Sequence, residues 1–162
     1  MKKDDILEHI YFLNEAIKEA RKGVQAGHGG PFGAVIVKNG KIIARGHNRV
    51  TSTNDPTAHA EIVTIRKACK KLNSFELKGC TLYSSCEPCP MCLGAIYWAR
   101  PKALYFTADR VRAAASNFDD AVIYKEVPLP PGKRTLKTVC IKIPGHNVPF
   151  DEWDKKTDKT EY

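Results

Sequence analysis

Two short segments, thirty positions apart, constrain this chain more than anything else in it: His59-Ala60-Glu61 and Pro88-Cys89-Pro90-Met91-Cys92. Each stands where the local pattern predicts the start of a helix. One imidazole and two thiolates make a three-ligand set, which suits a catalytic zinc ion whose fourth position is left to water. Cysteines at i and i+3 on a helix can converge on one ion, and a helix N-terminus favours thiolate over thiol. Glu61 is then the natural general acid/base beside a metal-activated water. A spacing of two does not put His59 and Glu61 on one face of a helix. The site therefore has to lie off the helix end, reached from its first turn.

The surrounding pattern alternates helices and strands. Ile6, Ile10, Leu13, Ile17, Ala20 and Val24 recur at steps of three and four, which predicts an amphipathic helix ended by Gly27, Gly29 and Gly30. Asn39-Gly40 between the apolar runs 34–38 and 41–45 predicts a tight hairpin, since both turn residues tolerate positive φ. Pro56-Thr57 opens a helix running to about Leu72, with Asp55 as its cap. Strands are expected at Thr81–Ser84 and Ala103–Phe106, and a helix from Pro90 to the Arg100-Pro101 stop. Weaker helices are expected at 110–115 and 120–124, a loop at Pro128–Gly132, an edge strand at Lys137–Ile143, and a short helix from Pro149. The pattern predicts helices packed around one mixed sheet.

Composition narrows the setting. In 162 residues, 26 basic against 18 acidic side chains leave a formal charge of +8, with 43% hydrophobic residues. That is the balance of a folded domain. No apolar run approaches the roughly 20 residues of a membrane span, and the charged stretch Met1–Glu8 has no secretory apolar core. A cytoplasmic chain is expected, so the cysteines at 69, 80, 86, 89, 92 and 140 are read as ligands or buried residues rather than disulfides. Cys86, Cys89 and Cys92 begin like a ferredoxin run, but Ile96 stands where a fourth cysteine would follow. A purely structural zinc with Cys86 as fourth ligand is another reading, though it gives Glu61 no task. A thioredoxin-like redox pair is a third, and it explains neither His59 nor Glu61. The basic residues crowd most at Arg66, Lys67, Lys70 and Lys71; charge alone does not select a nucleic-acid partner.

H-x-E followed by P-C-x-x-C is the pattern of the zinc deaminases. On longer blocks the chain resembles the cytidine deaminase-like superfamily and, within it, the bacterial guanine deaminases. The blocks are Gly30–Val37, Asn54–Glu61 and, most specific, Ser85-Cys86-Glu87-Pro88-Cys89-Pro90-Met91-Cys92-Leu93-Gly94-Ala95-Ile96-Tyr97-Trp98-Ala99-Arg100, with Phe118-Asp119-Asp120 and a closing Glu161-Tyr162. The resemblance implies a three-layer α/β/α sandwich around a mixed five-stranded sheet. It implies one Zn2+ per subunit on His59, Cys89 and Cys92, with Glu61 moving protons and Cys86 outside the ligand set. The implied reaction is hydrolysis of guanine at C2 to give xanthine and ammonia.

The same resemblance implies substrate contacts. Phe32 stacks on the purine, Asn48 hydrogen-bonds the base, Ala60 borders it, and Asp120 contacts the amino group and assists its departure. Trp98 either lines the pocket or packs beneath it. Residues 1–148 would form the deaminase domain and 149–162 a lid, exchanged in a homodimer so that Tyr162 touches substrate. Asn117 stands where glycine is usual, and the loop after Pro128 is rich in proline and basic residues. Guanosine deamination and tRNA adenosine deamination are the competing activities, and a non-catalytic zinc module the competing class. The Phe118–Asp120 block and the closing Tyr162 favour a small purine base over nucleic acid.

Overall fold

The computed structural model describes residues 3–162; Met1 and Lys2 of the charged N-terminal stretch lie outside. Up to Asp120 the elements are α1 (Lys3–Gln25), β1 (Gly33–Lys38), β2 (Lys41–His47), α2 (Val50–Thr53), α3 (Ala60–Leu72), β3 (Cys80–Cys86), α4 (Pro90–Ala99), β4 (Ala103–Ala108) and α5 (Arg110–Ala114). The chain from Ala121 on forms a second compact unit, with α6 (Ala121–Glu126), a 3-10 turn at Pro131–Lys133 and α7 (Val148–Lys155).

The hairpin forms at the expected place. Asn39 and Gly40 both take positive φ, 49° and 69°, the handedness that matches the twist of the strands they join. β1 pairs antiparallel with β2 and β3, and β3 pairs parallel with β4, in the order β2-β1-β3-β4. Alternation along β1 divides the core. Val35 and Val37 join Phe12 of α1 and Tyr83 of β3 on one face. Ile36 on the other face packs with Ala44, Leu82, Ala68 of α3, and Ile96 and Ala99 of α4. The sheet is thus a middle layer between α1 and the α3/α4 pair. Each large aliphatic side chain buried there contributes about 1.5–3 kcal/mol.

Two expectations need correction. The sheet has four strands among the described residues, not five. Lys137–Ile143 forms no strand; Val139, Ile141 and Ile143 alternate correctly but stay exposed, and alternation without a ladder partner does not make a strand. Second, α3 starts at Ala60 rather than at Pro56, because Asp55 turns its carboxylate onto the Thr57 N–H (2.8 Å) and hydroxyl (2.7 Å) and closes a separate turn. The expected N-terminal helix forms as α1, which presents Phe12, Ala16 and Ala20 to the sheet while Ile6, Ile10 and Val24 of the apolar stripe stay exposed. A Cβ at Gly33 would lie 2.3 Å from the Ala16 carbonyl oxygen and the Ala20 nitrogen. The helix therefore seats its small residues against the strand backbone.

Candidate active site

The corrected start of α3 makes His59 its N-cap, with φ −66° and ψ 157°, and Cys89 is the N-cap of α4, with φ −64° and ψ 168°. Neither side chain makes a capping hydrogen bond. Extended backbone at both helix mouths instead turns imidazole and thiol toward each other. His59 Nδ1 lies 3.6 Å from Cys89 Sγ and 3.5 Å from Cys92 Sγ. The three ligand atoms all fall within 4.8 Å of one another. One nitrogen and two sulfurs at that mutual distance fit a tetrahedral zinc ion with one position open.

Glu61, on the first turn of α3, is 5% exposed. It accepts from the Ser84 hydroxyl (3.1 Å) through Oε1 and from the Cys92 thiol (3.5 Å) through Oε2. Burial pushes its carboxyl above the usual range. Cys89 is held down to about 4, mainly by the neighbouring Cys92 side chain, with the His59 imidazole adding to it. Cys92 moves up as the partner that keeps its proton, and the Cys89 thiolate raises His59. The surroundings of Cys89 thus favour its deprotonation, the direction a metal ligand needs.

Cys86 lies outside the His59-Cys89-Cys92 group. Its thiol donates to the Asp109 carbonyl at 3.6 Å, and burial pushes it up to about 11. Asn48 is buried at the end of β2, and its Oδ1 accepts from Gly30 N–H (3.2 Å) and Val50 N–H (3.1 Å). Phe32 is half-buried, edge-on to Phe118 with centroids 5.0 Å apart at 87°. Asn117, just before Phe118, has φ 65°, a conformation asparagine tolerates, so it serves where glycine would be expected. Asp120 is half-buried, and burial raises its pKa, with the Cys89 charge adding to the effect. Ala60 is fully buried. Trp98 lies on α4 with 65% of its surface exposed, and Tyr162 is an exposed residue of the second unit.

Ser84 is the site residue that sequence reasoning missed. No motif flags a serine within an apolar strand. The one available signal is strand alternation, which puts Ser84 on the same face as Leu82, toward α3.

A sandwich that closes two helix starts on a His-Cys-Cys set, with a carboxyl group buried behind it, is built for zinc-dependent hydrolysis of the deaminase type. The chain belongs to the family of the cytidine and deoxycytidylate deaminase zinc-binding region, which matches residues 7–108. It is similar to the guanine deaminase of Bacillus subtilis, at 54% identity over 96% of this chain and all of that one. The X-ray structure of guanine deaminase from that organism superposes with a TM-score of 0.92 at 52% identity, covering 100% of this chain and 99% of the other. The tRNA-specific adenosine deaminase of Aquifex aeolicus is 46% identical over 60% of this chain and 64% of its own. A solved guanine deaminase from Nitrosomonas europaea gives a TM-score of 0.65 at 32% identity, over 75% of this chain and 66% of that one. No helix among the described residues is long and apolar enough to cross a membrane.

Proposed function

We infer that this chain hydrolyses guanine to xanthine and ammonia, with one zinc ion per subunit. Coverage carries the reading: likeness to a guanine deaminase runs along 96% of the chain, whereas likeness to the tRNA-specific adenosine deaminase of Aquifex aeolicus stops at 60%. His59, Cys89 and Cys92 hold the metal. Bound there, zinc supplies a Lewis acid that makes water a nucleophile near neutral pH. Glu61 takes the proton of the attacking water and returns it to the ring nitrogen beside C2. A carboxyl group raised by burial keeps that proton long enough to pass it on.

Asp120 contacts the exocyclic amino group and assists its departure as ammonia, a role its raised pKa supports. Phe32 stacks on the purine, with Phe118 braced edge-on against it. Both oxygen contacts of Asn48 go to backbone donors, so what it offers the base is its NH2 group. Ala60 borders the base. Trp98 and Tyr162 complete the enclosure in a homodimer: residues 149–162 act as a lid on the 1–148 domain of the partner subunit. The exposed apolar stripe Ile6, Ile10 and Val24 on α1 supports association. The same reading sets the enzyme in the cytoplasm, acting on the free base and not on nucleic acid.

Ammonia release from guanine by the zinc-loaded protein tests the reading, with guanosine and tRNA run alongside. Turnover of guanine alone is expected. Glu61→Gln should keep its zinc and lose about 10²–10⁴-fold in kcat. Activity confined to guanosine or tRNA would overturn the substrate assignment.

A further inference from the structure

Away from the metal ligands lies a pair of histidines for which the reaction above has no task. His28 Nδ1 and His47 Nε2 are 2.9 Å apart, with ring centroids separated by 5.2 Å and planes 22° from parallel. His47 ends β2, immediately before Asn48; His28 opens the loop that runs to Phe32. His47 Nδ1 is buried without a hydrogen-bond partner and faces Glu19 Oε2 of α1 at 3.7 Å. Glu19 is itself buried and paired with Lys22 at 2.7 Å.

Two imidazoles hydrogen-bond when one nitrogen brings a proton and the other a lone pair. Glu19 settles which is which. Its carboxylate favours the proton on His47 Nδ1, so Nε2 accepts from the His28 Nδ1–H. The loop fastened this way lies directly over Asn48. Gly30 N–H donates to Asn48 Oδ1 at 3.2 Å, and Asn48 N–H donates to the Phe32 carbonyl at 2.9 Å. A Cβ at Gly29 would fall 2.2 Å from Asn48 Oδ1. The His28 carbonyl accepts from Ser52 N–H (3.1 Å) and the Thr51 hydroxyl (3.0 Å).

We infer that His47 is a positioning residue: through its bond to His28 it clasps the 28–32 loop onto Asn48, and so sets both the ring and the amide that hold the base. The inference rests on the deaminase reading of the pocket. The charged and titratable groups facing His47 are Glu19 from α1, His28 from the loop and Lys67 from α3. Donation from His28 Nδ1 closes the clasp; a proton on His47 Nε2 removes the lone pair and opens it. Burial holds His47 below its ordinary range, with His28 and Lys67 adding and Glu19 opposing. The clasp therefore stays closed at neutral pH and opens on the acid side.

Two variants of the zinc-loaded protein test this. Asparagine matches the reach of Nδ1 and falls short of His28; glutamine matches the reach of Nε2 and accepts at every pH. His47→Asn should raise KM for guanine about tenfold, with kcat within about threefold and zinc content unchanged, the split that marks lost ground-state positioning. His47→Gln should keep the KM of the parent at about pH 7.5 and hold it flat on the acid side, where the parent's KM rises. An unchanged KM in His47→Asn, or a parent-like acid rise in His47→Gln, overturns the clasp. A parent protein that leaves guanine untouched defeats the guanine assignment instead. In that case 15N shifts of the rings still decide the clasp: an acceptor-type His47 Nε2 against a protonated His28 Nδ1 is expected, and two protonated nitrogens facing each other would refute it.

Discussion

Ser84 gives Glu61, buried beside Cys92, a fixed partner at 3.1 Å. Removing that hydroxyl leaves a buried carboxyl oxygen without its donor. Ser84→Ala should therefore lower kcat for guanine about tenfold while zinc content stays at one per chain, checked by steady-state kinetics with metal analysis. At this scale the legible residues were those whose spacing is itself a chemical demand. His59, Cys89 and Cys92 come together as expected, with Glu61 behind them. Ser84 and the His28–His47 pair were not legible, because a serine in a strand and two histidines nineteen positions apart form no spacing rule. Only the folded backbone makes them neighbours.

Among the elements, periodicity located α1, the hairpin, β3, α4 and β4, but it did not say which way α1 turns. Of the apolar stripe, Ala20 reaches the sheet beside Phe12 and Ala16 while Ile6, Ile10 and Val24 stay outside, because the close approach at Gly33 favours small side chains. Two glutamates are carried inward by that rotation. Glu15 pairs with Lys18 at 2.6 Å and with Arg45 of β2 at 2.5 Å, and these partners, the lysine hydrogen bond foremost, hold its carboxyl below the usual 4.5. A carboxyl that is more acidic when folded adds stability that is fully present above about pH 4.5 and fades as the pH falls below it. Glu15→Gln should cost about 1–3 kcal/mol at pH 7, with the gap to the parent narrowing at about pH 3. Urea unfolding at the two pH values measures it. The missing fifth strand has a similar origin, since alternation at 139–143 describes a strand's side chains and leaves its hydrogen-bonding partner unspecified.

At the scale of the whole molecule, the chain divides after Asp120, so the metal ligands belong to one compact unit and Tyr162 to the other. If the tail closes a neighbouring subunit's pocket, ending the chain before Glu161 should lower kcat/KM for guanine by at least about tenfold and leave Tm within about 2 °C. Calorimetry beside the kinetic assay checks both halves, and unchanged turnover would sink the lid. The two helix mouths have a wider consequence. Serine, threonine, aspartate or asparagine at such a position is worth roughly 1 kcal/mol to a helix, yet here both places are held by residues that cap nothing. The fold thus gives up durability twice, at two of the residues proposed to hold zinc. A lineage under selection for persistence alone would drift toward serine and aspartate there, and would become hardier as it fell silent.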